Sequence, residues 1–309
     1  MATAQTICFQ RNDAVWLADS EGGNQRCVIS ATTVEKLNAC EFRIAPDGSS
    51  ISFTHFYMPP GKFPAYHDTS RYRGIALFDV KTSQVTFLDN VPMLNDYNAV
   101  WSSDASSLAF TYPHDAPLSG VSTSVAIIKK DNTGFNIITD ALGPKEYDIY
   151  FYAWSSDGST VLCYTGDSLY SMAHDGHLLS TEPFIFPDSM EVVSSSSTNM
   201  TVSPDGRYIA LDPETSDDGY IHFKNYWVVG LYGAIWLFDR QQRTFTRITP
   251  KNLSASDPAW SAQGNEVWFC GIPGDSPKHH KSNIYRTDMK GHNITMVVKD
   301  ASSMSMSSH

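Results

Sequence analysis

Six of the ten histidines of this 309-residue chain, His55, His67, His114, His222, His279 and His280, fall in four irregular stretches rich in aromatic residues. Imidazole exchanges protons near neutral pH, and a phenol can join it as donor or acceptor. His67, His114, His222 and Tyr226 are therefore the candidate acid–base residues, suited to a lyase, cyclase or isomerase step. Tyr57, Tyr66, Tyr72, Tyr220 and Trp227 share these stretches. Aromatic surface with a few polar groups suits a pocket for a small molecule or an oligomer. A second constellation carries side-chain oxygen: Glu41, Asn98, Asn199 and Asp257, each three residues ahead of a recurring motif. Four such groups brought to one point would hold a hard divalent metal such as calcium.

That motif says what positions them. "IAPDGSSISFT" from Ile44 returns as "WSSDASSLAFT" from Trp101, "WSSDGSTVLCY" from Trp154, "VSPDGRYIALD" from Val202 and "WSAQGNEVWFC" from Trp260, at steps of 57, 53, 48 and 58 residues. In each, a Ser/Pro-Asp-Gly cluster makes a tight turn, because Asp bonds a downstream amide and Gly accepts positive φ. Alternating apolar residues then describe a half-buried strand. A second strand–turn–strand element follows at a variable distance, as in "IALFDVKTSQVTFL" (75–88) and "IWLFDRQQRTFTRI" (235–248). A sixth copy of it, "VWLADSEGGNQRCVI" (15–29), precedes every turn of the first kind. The unit is four antiparallel strands that cannot bury both faces alone and must stack on neighbours. Six units predict an all-β, six-bladed β-propeller forming a single domain over 1–309. Blade one lacks its inner strand at the N-terminus, and residues 301–308 are expected to supply it and close the ring.

The "W-S-x-D-G" turn followed by "IWLFD" resembles the TolB-type propeller repeat, which also occurs in prolyl-oligopeptidase propellers and oligogalacturonate lyases. The resemblance spans residues 5 to 308 and implies the fold, since these proteins share a scaffold rather than a job. By analogy with oligogalacturonate lyases, two or three converging histidines would select manganese rather than calcium. In a propeller, the loops from strand two to strand three lie on one face around the axis. Here they are unequal: blade two inserts 55–74, blade five inserts 212–233, blade three offers 112–120 and blade six 272–282. Long loops on a rigid scaffold tend to carry function. They are expected to cover the face that bears Glu41, Asn98, Asn199 and Asp257.

Other classes are excluded or set aside. A net charge of −11 opposes nucleic-acid binding, which rests on cationic contacts to phosphate. No apolar run approaches the roughly 20 residues of a membrane span. The opening residues show no signal-peptide pattern, so a cytoplasmic location is the expectation. Cys8, Cys163 and Cys270 lie in apolar strand-like runs and read as buried reduced thiols. "GDSL" at 166–169 matches a hydrolase signature, but the blade pattern makes Ser168 the start of a strand. The partner is a small-molecule or oligomeric ligand or, in the alternative reading, a protein docked on an acidic, aromatic face.

Overall fold

The computed structural model describes residues 5–56, 73–91, 99–113, 123–142, 149–165, 167–190, 198–215, 222–223, 226–227, 232–273 and 282–307. Their strands form six four-stranded antiparallel sheets, the blades of a propeller. The inner strands are Ser302–Met306 in blade one, Ala39–Ile44 in two, Val100–Trp101 in three, Tyr150–Trp154 in four, Met200–Val202 in five and Leu253–Trp260 in six. In blades two to six each inner strand pairs with the strand that follows its motif turn, in blade one with Thr6–Arg11, and the second hairpin completes the blade.

The core is six layers, one in each gap between neighbouring blades. Trp101, Trp154 and Trp260 sit in these gaps at 5, 6 and 7% exposure. Their indole nitrogens donate to backbone carbonyls of the preceding blade: Trp101 to Arg43 O at 3.1 Å, Trp154 to Val100 O at 2.9 Å and Trp260 to Thr201 O at 3.0 Å. Each acceptor stands one residue before the first position of its own motif. The tryptophan column of the repeat is thus a blade-to-blade fastener with a part-buried hydrogen bond.

The motif serine works within its own turn. Ser102, Ser155, Ser203 and Ser261 accept on Oγ from the amides of Ser107, Thr160, Tyr208 and Glu266, at 2.9–3.1 Å. The two ends of the chain rebuild this arrangement. Ser307 Oγ accepts from Thr6 N at 2.8 Å, and Ser307 N donates to Thr6 O at 3.0 Å. The C-terminal strand pairs beside Thr6–Arg11 with Met306 opposite Ile7, Ser305 opposite Cys8 and Ser302 opposite Gln10, as expected of a ring closed by that segment.

Three details differ from the sequence reading. A helix, Ala31–Leu37, capped by Ser30 and ended by Asn38 in the left-handed conformation, joins blade one to blade two; at seven residues its periodicity is too short to register. His55 belongs to a strand, Ser50–Phe56, so the blade-two insertion starts after it. The blade-five insertion is partly paired: Glu214–Thr215 with Tyr232–Gly233, and His222–Phe223 with Tyr226–Trp227. Cys8, Cys163 and Cys270 are buried free thiols.

Candidate functional site

Inner strands meet at the ring axis, and four of them bulge there: one in blade four, between Phe151 and Ala153, and three that share one backbone conformation. One extra residue lies between Cys40 and Arg43 in blade two, between Ser256 and Ala259 in blade six, and between Ser302 and Ser305 in blade one. At these bulges Glu41 (φ 57°), Asp257 (φ 55°) and Ser303 (φ 51°) adopt the left-handed conformation. That conformation costs a non-glycine residue about 1 kcal/mol or more. A bulge re-aims the side chains around it. Arg43, two residues past its bulge, donates through Nη1 to Met304 O of blade one at 3.0 Å. Its Nη2 reaches Asp257 Oδ1 of blade six at 3.4 Å, with the two side chains 17 and 18% exposed.

Behind Asp257 lies Asp212, the residue directly after the second strand of blade five, Tyr208–Leu211, where its insertion opens. Its carboxyl group is buried and accepts three N–H bonds. Asn199 supplies two, from its backbone and from Nδ2 (3.0 Å), and Asp257 supplies the third from its backbone at 2.8 Å. Asp212 N returns a bond to Asn199 O, which extends the blade-five ladder by one pair. Burial, joined by the negative charge of Asp257, pushes the Asp212 pKa up to about 8 against the pull of those three donors. The tip of Arg43, Asp257 and Asp212 thus form a polar chain across blades two, six and five.

Asp257, Arg43 and Asn199 line an axial cavity of about 540 Å³. Its wall runs from these residues along the inner strands to Ser103, Ser156 and Ala262, which belong to the turns of the repeated motif. The base of the blade-five insertion lies against the same region. A Cβ on Gly233 would come within 2.3 Å of Ala255 O in the blade-six inner strand, so only glycine permits that approach.

The expected site residues separate into four groups. Asn199 and Asp257 are brought together at the axis, joined by Asp212. Glu41 is not among the cavity's lining residues, and its carboxylate accepts from Thr54 Oγ1 at 2.6 Å. Asn98, His67 and His114 lie outside the described residues, as do His279 and His280. For His222 and Tyr226 the backbone alone is described: they face each other's neighbours in one short hairpin, His222 opposite Trp227 and Tyr226 opposite Phe223. His55 packs edge-on against Phe87, 4.7 Å between ring centres, and burial lowers its pKa. Among the described residues no three His, Cys, Asp or Glu side chains gather as a metal centre, and Asp257 faces a guanidinium. Ser168 is a ladder residue opposite Thr165 and Pro183.

The sequence reading missed Arg43 and Asp212. Asp212 had a signal: it is the last residue of the fourth motif copy, in a column otherwise holding Thr54, Thr111, Tyr164 and Cys270. An acid in a column of neutral residues marks a departure from the repeat.

No family model matches the chain, and no curated protein matches it either. Solved structures do. TolB from Acinetobacter baumannii superposes with a TM-score of 0.62 at 14% identity, over 98% of this chain and 66% of that one. A putative TolB from Agrobacterium tumefaciens gives 0.60 at 14%, over 99 and 94%. An oligogalacturonate lyase from Vibrio parahaemolyticus gives 0.55 at 12%, over 92 and 74%. These similarities establish the six-bladed TolB-like propeller and stop at the fold.

Proposed function

We propose that the chain is a small-molecule-binding propeller whose site is the axial cavity, with Asp257 and Arg43 as its polar anchors and Asp212 positioning Asp257 and Asn199. One observation carries the reading: a buried carboxyl group, absent from the other copies of the repeat, holds the backbone of Asp257, a residue that lines the cavity. Burying such a group is costly, and a scaffold of repeated blades has no structural need of it. The unequal insertions of blades two and five belong to the same proposal, with His67, His114, His222 and Tyr226 as acid–base groups brought over the cavity. The solved lyase among the similar structures makes a lyase-type step the first activity to assay. No step is routed through a metal, because the described residues offer Asp257 a guanidinium.

The test is a thermal-shift screen of polar metabolites against the wild type and Asp257→Asn. Compounds that raise the wild-type melting temperature should leave Asp257→Asn unmoved, while the two proteins melt within a few degrees of each other without ligand. If no compound shifts the wild type, or every hit shifts both proteins alike, the axial site is wrong. A protein-docking scaffold then takes its place.

A further inference from the structure

The inner strand of blade one differs in kind from the other five, because it comes from the far end of the chain and forms one wall of the axial cavity. Met304, Ser305, Met306 and Ser307 all line that cavity. By register Met306, opposite Ile7, stands where Trp154 faces Val161 and Trp260 faces Val267. A thioether cannot donate the indole hydrogen bond that fastens those blades to their neighbours. Other contacts hold this strand. Ser305 Oγ accepts from Ile44 N at 3.0 Å, Gln5 Nε2 donates to Ser307 O at 3.0 Å, and Arg11 grips its entry at Lys299 O and Asp300 O. Arg43 adds the bond to Met304 O and is tied by its other nitrogen to Asp257 inside the cavity.

Two buried thiols lie against the strand from different blades. Cys8, in blade one, stands opposite Ser305 in the ladder; Cys270, in blade six, packs in one buried apolar cluster with Met304. Burial raises both thiols, Cys8 to about 12, so neither is nucleophilic while the strand is seated. Cys163, in blade four, is buried away from it.

We infer that the C-terminal strand is a removable wall of the axial site and that Arg43 is its latch. Local opening detaches residues 301–307, uncovers the cavity from the side and exposes Cys8 and Cys270 together, while the other blades stay stacked. Any ligand that needs this wall then favours the closed ring by linkage. That last consequence rests on the axial-cavity reading, and the latch does not.

The experiment uses the full chain and its own cysteines. Thiol labelling is followed residue by residue by mass spectrometry in the wild type and in Arg43→Met. The expected result is at least a tenfold faster labelling of Cys8 and Cys270 in Arg43→Met, with Cys163 unchanged. Hydrogen exchange should accelerate in the amides of 302–307 and not in those of 150–154. Equal acceleration of all three thiols, or none, overturns the latch. Should Arg43→Met fail to fold, Asp257→Asn removes the anchor of Nη2 and is read by the same criteria. Compounds from the thermal-shift screen supply the second arm. A cavity ligand that binds without slowing Cys8 and Cys270 refutes the linkage and leaves the cavity standing. A screen without hits removes the cavity reading while the labelling comparison still decides the latch.

Discussion

Asp157 and Asp212 are the same residue put to opposite uses. Asp157 sits in an exposed Asp-Gly turn, where it accepts from Ser155 Oγ, Ser159 N and Ser159 Oγ, and these bonds hold its pKa down at about 2. Asp104 and Asp205 are held down in the same way in their own turns. Asp212 also accepts three hydrogen bonds, yet its pKa rises to about 8, because burial and a second carboxylate outweigh them. Hydrogen bonding alone does not set the sign; solvent access does. A feature that recurs in every blade serves the blade, whereas one that appears once has to be explained by something only one place in the ring does.

The contrast can be broken from either side. The largest effect is expected for a repeated position: Trp154→Ala should cost about 3–5 kcal/mol in denaturant unfolding, through lost packing and the lost bond to Val100 O. An effect below about 1 kcal/mol would show that the tryptophan column is not a fastener. Next comes Asp212→Ala, which orphans three buried N–H donors and should cost roughly 3 kcal/mol while abolishing any axial ligand binding. Full stability together with full binding would remove Asp212 from the site.

The third expectation is a pH dependence. The folded pKa of Asp212, about 8, lies above its ordinary value of 3.8, so the native state binds more protons than the unfolded chain between roughly pH 4 and 8. The stability this group confers is fully present below the unfolded pKa and is lost as pH rises through the folded one. Wild-type stability relative to Asp212→Asn should therefore fall with rising pH in that window, by up to about 1.4 kcal/mol per unit. A flat or rising difference contradicts a proton held on Asp212. The smallest effect belongs to Asp157→Ala: a drop of no more than about 2–4 °C in melting temperature, with ligand binding intact.

The same contrast explains what could be read from the sequence. Turn aspartates, motif serines and tryptophans announce themselves by repetition, which is why the blade count, the ring closure and the burial of Trp101, Trp154 and Trp260 were all legible. The axial site is legible only as deviation. Asn199 and Asp257 stood out by their place before the motif, but Glu41 at the matching place turns to Thr54. Arg43 falls between two motif positions and is aimed by a bulge that leaves no composition signature. Asp212 was hidden because a strand ends just before that residue and an insertion begins on it, so it reads as loop.

The junction of Ser307 with Thr6 has a kinetic consequence. The two residues are 301 positions apart, and joining them from an open chain would cost about 5 kcal/mol of closure entropy. Most of that cost vanishes if the blades have already stacked, since the ends are then near each other. The ring should therefore fold by successive addition of blades, each contributing its own local hairpins, with the seating of the last strand as the final step. A nascent chain would carry an unpaired edge at Thr6–Arg11 until residues 302–306 had been made, exposed to whatever strand it met first.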